Sequence, residues 1–407
     1  MDVAAGVPAA SIVTPARAVS HDRFAEAVRL LDGAVGAAYP GAVLGVLWRG
    51  DVVVRHAAGR TAAREGAPAV ASETVYDLAS LTKVVATLPL VLQAVADGRV
   101  ALDDPVPIHL PEFPHHNVTI RHLLTHTSGL PAWIPFYLRT MGGDAVVRGA
   151  AGTPLAAQPG AQVTYSDIGF VLLGEIVRRT FGAPLDALAK TRLYEPLGMT
   201  HTGYRPVRAA VAGPHPGAGQ TAGAAGGGED LRMIAPTEDG TAVEQQMTQD
   251  PRWAEAGRRH TWRRYLIWGE VHDSNAHAMG GVSGHAGLFG TAGDLLAYAR
   301  MWLAEGRGPH GRVLEPTLVR EAVAAQTPLP KVRGLGWALT GEQGWWRDAL
   351  SPRAFGHTGF TGTSIVVDPA RDLAIVLLSN AVHLGRDRTG ILTLRPEIAA
   401  AVAAATA

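Results

Sequence analysis

The chain has 407 residues, 47% of them apolar and 18% charged, with 36 Lys and Arg against 36 Asp and Glu. That length exceeds one small core and predicts a single catalytic unit, 1–407, of two lobes. Zero net charge leaves no electrostatic footprint for nucleic acid or an anionic membrane, and the absence of cysteine excludes disulfides, thiolate metal sites and a cysteine nucleophile.

Residues 1–20 carry no basic cluster followed by an apolar run of signal-peptide type. No stretch approaches 18 consecutive apolar residues, so no membrane span is expected. A cytoplasmic location is the expectation.

Helical spacing of Phe24, Val28, Leu31 and Val35 predicts a helix over 21–38. Strands follow at 42–48 and 52–55, around the turn Arg49-Gly50-Asp51. An extended segment, 74–78, leads into a long apolar helix over 80–97, which Pro89 should kink or deprive of a hydrogen bond. Helices are expected at 117–127 and 166–181. The Gly/Ala-rich stretch 207–228 reads as a flexible surface loop. The insertion 251–268 holds Trp253, Trp262 and Trp268 among several arginines. Its tryptophans are expected to pack on the body, with a lid over the substrate pocket as the alternative. A helix near 291–305 and strands at 334–340, 361–367 and 373–379 close the pattern. Segments 21–80 and 290–407 thus form an α/β lobe, and 81–289 a mostly helical one inserted into it.

Ser80-Leu81-Thr82-Lys83 opens the apolar helix. A serine and a lysine three apart on a helix share one face. The hydroxyl is a weak nucleophile until a neighbour takes its proton, and a lysine can assist when burial or nearby charge tunes it. Tyr165-Ser166-Asp167 opens a second helix, and His357-Thr358-Gly359 lies in the strand-rich C-terminal stretch. Ser-x-x-Lys, then a tyrosine triplet, then a Thr-Gly triplet, is the motif order of the serine β-lactamases and penicillin-binding proteins. The chain resembles the β-lactamase-related serine hydrolases: class C β-lactamases, D,D-peptidases, family VIII esterases and some acyltransferases. The strings 76–83, 123–130 and 280–289 carry the same resemblance, which runs from about residue 40 to about residue 380.

The resemblance implies an α+β, β-lactamase/D,D-peptidase-like fold: an antiparallel sheet flanked by helices, with the site between the lobes. It makes Ser80 the acylated nucleophile, with Lys83 and Tyr165 as its acid–base pair. The backbone N–H groups of Ser80 and Phe360 would hold the oxyanion, and Gly359 would let the backbone approach the substrate. Thr358 and His285 join the expected substrate-binding residues, with the stretch 272–275 near the cleft rim. Two positions depart from the β-lactamase pattern. Asp167 stands where an Asn is usual, which would keep Lys83 charged and favour Tyr165 as the working base. His357 replaces a lysine, and histidine is mostly neutral at pH 7, so carboxylate recognition should be weaker.

No cofactor and no metal are expected. His122 and His126 have metal-ligand spacing, but no glutamate follows His122. No Gly-x-Ser-x-Gly elbow occurs, which removes the α/β-hydrolase alternative. The expected partner is a small-molecule ester or amide, with an amine or alcohol acceptor in the transferase alternative. A non-catalytic, ligand-binding relative is the third reading; it would not need Ser80, Lys83 and Tyr165 together. Oligomeric state has no signal in the sequence.

Overall fold

The computed structural model describes residues 21–206, 231–328, 330–341, 344–385 and 389–407. The expected loop 207–228 lies outside the described residues. An antiparallel sheet forms the centre and draws on both ends of the described chain. Strands β1 (Gly41–Trp48) and β2 (Asp51–Gly59) make a hairpin. Strands β3 (Ala338–Leu339), β4 (Phe355–Thr358), β5 (Ser364–Asp368) and β6 (Leu373–Ser379) complete the order β2-β1-β6-β5-β4-β3. The hairpin turn is tight because Arg49 and Gly50 both take positive φ, 50° and 83°, the twist that matches flanking strands.

Every residue of β1 is buried, because both faces of the sheet are covered. Val43 and Leu47 join one core with the Ala292–Leu303 helix; Leu44, Val46 and Trp48 join another under the Ala25–Gly33 and Thr389–Ala405 helices. The period of two in a strand sends alternate residues to opposite faces. The larger core continues from the sheet into the helical part of the chain.

The helix expected over 80–97 is three pieces. Ser80 lies in a 3₁₀ turn (Ala79–Leu81), followed by a wide π segment (Lys83–Thr87) and an α-helix (Leu88–Ala96). The Leu88 N–H bonds back to Lys83 O, so Pro89 enters in the first α-turn, where its missing donor costs little. The run Ala79–Ala96 has a mean hydropathy of 1.6 and is long and apolar enough to cross a bilayer. It is 78% buried within the protein, so its apolarity is that of a core helix.

Expected and observed elements agree at the Asp167–Phe181 and Ala292–Leu303 helices and at β6. The N-terminal helix stops at Gly33, and β2 runs on to Gly59. The third helix shrinks to Ile120–Leu124, with Thr119 and His122 capping each other's backbone N–H. The strand expected at 334–340 survives only as β3. Gly336 takes φ +74°, and the Gly334 N–H bonds to Trp337 O, so the chain turns back on itself. The strand expected at 361–367 starts at Ser364, and β4, which ends on the His-Thr-Gly triplet, had no apolar alternation to announce it.

One close crossing fixes the helical part against the segment that follows Ser80. Thr87 Oγ1 donates to Gly284 O at 2.6 Å, and a Cβ on Gly284 would lie 2.9 Å from Gly174 Cα. Gly284→Ala should therefore cost about 1–3 kcal/mol by overpacking, read as a lower denaturant midpoint. An unchanged midpoint would mean that the crossing yields without strain.

Candidate active site

Lys83 organises the centre. Its side chain is fully buried, and Nζ donates to Ser80 Oγ at 2.9 Å and to the backbone carbonyl of His285 at 3.1 Å. Asp167 Oδ1 lies 2.7 Å away as its counter-ion. The Tyr165 ring centroid is 5.0 Å from Nζ. Burial works to lower the ammonium's pKa, but the charge of Asp167, with Tyr165 after it, outweighs burial and the net shift is upward. Lys83 is thus a held cation.

Local structure delivers each partner. The Ser166 hydroxyl accepts from the Gly169 N–H and donates to Pro131 O at 2.7 Å. As N-cap it leaves Asp167 as the first helical residue and Tyr165 just before the helix. The backbone ahead of Ser80 is strained: Ala79 has φ +48° although it carries a Cβ. Asp77 holds that kink, accepting from the Ala79 N–H and the His272 N–H at 2.8 Å each. Burial pushes the Asp77 carboxyl up, against those hydrogen bonds.

The His357-Thr358-Gly359 strand end lies against the turn that carries Ser80. A Cβ on Gly359 would fall 2.5 Å from Leu78 O and 3.4 Å from Ala79 Cβ. Only glycine permits that approach. Thr361 and Thr363 lock it, donating to Asp77 O at 2.7 Å and Leu78 O at 3.1 Å. Phe360, next in the chain, stacks its ring on His272 at 5.7 Å. His357 Nδ1 donates to Thr358 O at 2.9 Å, and Nε2 is buried without a partner. Burial, then the charges of Arg333 and Lys83, hold this imidazole well below the usual histidine range, so it is neutral.

A cavity of about 290 Å³ opens here, lined by Ser80, Tyr165, Arg333, Ala338, Trp345, Trp346, His357 and Thr358. Four of these were named from the sequence. Arg333 was not. It is 5% exposed, its guanidinium lies 5.5 Å from the Tyr165 ring centroid, and Nε and Nη1 have no hydrogen-bond partner. Burial pulls its pKa down to about 10, so it remains a cation at neutral pH. The expected weak attraction for a carboxylate rested on His357 replacing lysine; Arg333 supplies a positive charge from the segment before β3. Only the Gly334–Gly336 turn brings it there, and an arginine in a loop carries no sequence signal for that.

His285 is a correction. Its imidazole is 1% exposed, bonded to Ser283 Oγ at 2.8 Å and Asp273 Oδ1 at 3.0 Å, and so is not at the cleft rim. It reaches the site through its carbonyl on Lys83. His272 is likewise buried, donating to Glu238 Oε2 at 2.7 Å. His122 caps its helix, while His126 accepts from the Ser166 N–H at 3.0 Å and packs 4.6 Å from the Tyr165 ring. In the insertion 251–268, Trp262 packs on the large core and Trp268 on a small separate cluster. No residue of that insertion lines the Ser80 cavity.

Comparison with known proteins agrees with this geometry. The sequence pattern of the family described as Beta-lactamase matches residues 27–400. The chain is 31% identical over 381 residues to the N-acetylmuramyl-L-alanine amidase of Bacillus subtilis (strain 168), covering 87% of this chain and 80% of that protein. It is 32% identical over 392 residues to a putative D-alanyl-D-alanine carboxypeptidase of Escherichia coli O157:H7, covering 89% and 83%. Among solved structures, EstCE1, described as a hydrolase with promiscuous acyltransferase activity, superposes with a TM-score of 0.69 over 94% of this chain and 99% of its own, at 21% identity, which speaks for the fold alone. With the matching order of motifs, the shared α+β fold and a Ser–Lys pair in contact, the chain belongs to the β-lactamase family of serine hydrolases.

Proposed function

We propose that the protein cleaves an amide or ester of a small molecule through an acyl-enzyme on Ser80, with Tyr165 carrying the proton and Lys83 as the fixed charge that assists it. The observation that carries this reading is the 2.9 Å contact between Ser80 Oγ and a fully buried Lys83 that Asp167 keeps charged. A charged ammonium cannot accept a proton. Tyr165, acting as its phenolate between the cations Lys83 and Arg333, takes the Ser80 proton as Oγ bonds to the carbonyl carbon. It returns that proton to the departing amine or alkoxide as the C–N or C–O bond breaks. Water then attacks the ester on Ser80 by the reverse transfer, releasing the acid. The backbone N–H groups of Ser80 and Phe360 receive the oxyanion, each such donor being worth ~3 kcal/mol in the transition state.

Two further features narrow the substrate. The relatives named above are an amidase and a putative carboxypeptidase, which favours an amide. Arg333, buried with unpartnered donors in the cavity, favours an anionic group near the scissile bond, since a bidentate carboxylate fits a guanidinium fork. Transfer to an amine or alcohol is the second reading. The acyltransferase activity described for EstCE1 and the tryptophan wall of the cavity, which would exclude water, favour it. Product ratios at fixed acceptor concentration separate the two.

Intact-mass measurement after exposure to a panel of esters, amides and β-lactams should show one acyl adduct, absent in Ser80→Ala. An adduct that survives in Ser80→Ala would remove the proposed nucleophile. Lys83→Ala and Tyr165→Phe should each slow acylation by ~10²–10⁴-fold, and the double variant should lose little more, because the two act as a unit. Additive losses would assign them to separate steps.

Arg333→Gln should lower kcat/KM about 10–100-fold for a carboxylate-bearing substrate, the worth of one charged hydrogen bond, and far less for a neutral ester. Equal losses on both would mean that Arg333 serves Tyr165 rather than the substrate.

Because His357 is held neutral, the pH profile of kcat/KM should show no limb near the ordinary histidine value of about 6.5 that belongs to this residue. His357→Gln should leave the profile's shape unchanged. A limb in that range that vanishes in His357→Gln would contradict the electrostatic reading of the pocket.

A further inference from the structure

A second cavity, of about 870 Å³, lies between residues 137–141, the insertion 251–263 and the Ser274–Ala278 helix. It shares no lining residue with the Ser80 cavity. Its volume falls within the range usual for small-molecule sites, roughly 300–1,000 Å³.

The floor is aromatic and has one unanswered polar atom. Tyr137 is 3% exposed, and its hydroxyl is buried without a hydrogen-bond partner. His260 and Trp262 meet its ring edge-on at 5.3 and 6.0 Å. A buried hydroxyl with no partner carries a desolvation penalty, and native structures rarely leave one unexplained. A ligand hydroxyl at this point would relieve it.

The rim is basic. Arg139, Arg252 and Arg259 are exposed around the opening, with Glu255 as their one acidic neighbour in the lining. Arg252 pairs with Asp250 and Arg259 with Glu255. Arg139 lies 5.1 Å from the Trp253 ring centroid and forms no ion pair among the described residues. Arg263, deeper in, is already committed to Val271 O, Ser274 Oγ and Glu270.

We propose that this cavity binds an anionic sugar: a pyranose ring carrying a phosphate or a carboxylate. A bare anion would leave the aromatic floor and the Tyr137 hydroxyl unused. A neutral apolar ligand would use neither the Arg139 guanidinium nor that hydroxyl. A sugar ring presents C–H faces to the aromatic side chains and hydroxyls to Tyr137, while its anion meets Arg139. The insertion 251–268 therefore builds a binding site. The site goes beyond the hydrolase reading and does not depend on the chemistry of Ser80, although the two are neighbours. Ser274 and His277 line it, and Asp273, which caps their helix, holds His285, whose carbonyl holds Lys83.

Isothermal titration of the full chain with glucosamine 6-phosphate, glucuronate and N-acetylglucosamine tests the proposal. At least one of the two anionic sugars should bind about tenfold or more tighter than the neutral one, and which one does so names the anion. Arg139→Gln should erase that preference. Tyr137→Phe should weaken all three sugars without lowering the denaturant midpoint, since it removes a hydroxyl that has no partner in the free protein. Hydrolysis of p-nitrophenyl acetate, measured in parallel, reports separately on the hydrolase reading, and Ser80→Ala should bind the sugars normally. Equal affinity for the three sugars, no binding of any, or a preference unchanged in Arg139→Gln would overturn the proposal.

Discussion

The buried ammonium of Lys83 is the constraint around which the site is arranged. An ion taken out of water costs several kcal/mol unless its surroundings replace the lost solvation. Here the replacement comes from three separate stretches of chain: Ser80 Oγ on its own turn, Asp167 at the start of a second helix, and the His285 carbonyl in the glycine-rich stretch. None of these can be displaced without leaving the charge bare. The same demand explains why the segments that meet at Lys83 cross so closely, with Gly174 and Gly284 admitting no side chain between them.

A second set of restraints aims the Ser80 hydroxyl. Ala79 is held at φ +48° by Asp77, which also fixes the His272 backbone. Gly359 brings the β4 end onto the same turn, and Thr361 and Thr363 fasten it there. Strain of this kind, of order 1–3 kcal/mol per residue, persists only because the surrounding contacts over-determine it. The helical part supplies the charge pair and the sheet supplies the facing strand, so the Ser80 hydroxyl stands where the two meet.

The charge pattern of the pocket follows from burial more than from composition. The chain as a whole is neutral, yet the Ser80 cavity gathers Arg333 beside Lys83, with Asp167 the direct counter-ion of Lys83. His357, deprived of water and facing two cations, stays neutral and leaves Nε2 as a bare acceptor. Replacing a lysine by histidine in the triplet therefore does not empty the pocket of positive charge; Arg333, bridged to Ala338 beside the His357 strand, supplies it instead.

The sequence by itself determined what depends on near neighbours. Helical periodicity located the Asp167–Phe181 and Ala292–Leu303 helices, apolar runs located β1 and β6, and the three-residue spacing of Ser80 and Lys83 placed them in contact. Tyr165 and Asp167 were legible because their triplet resembles the family's second motif. Tertiary structure alone decided what depends on distant segments. The turn at 334–336 swings Arg333 over Tyr165, the imidazole of His285 is buried against Asp273 while its backbone reaches Lys83, and the 251–268 insertion closes a separate cavity against Tyr137. Those contacts join segments far apart in the sequence, and only the packing of the whole chain sets the distance between them.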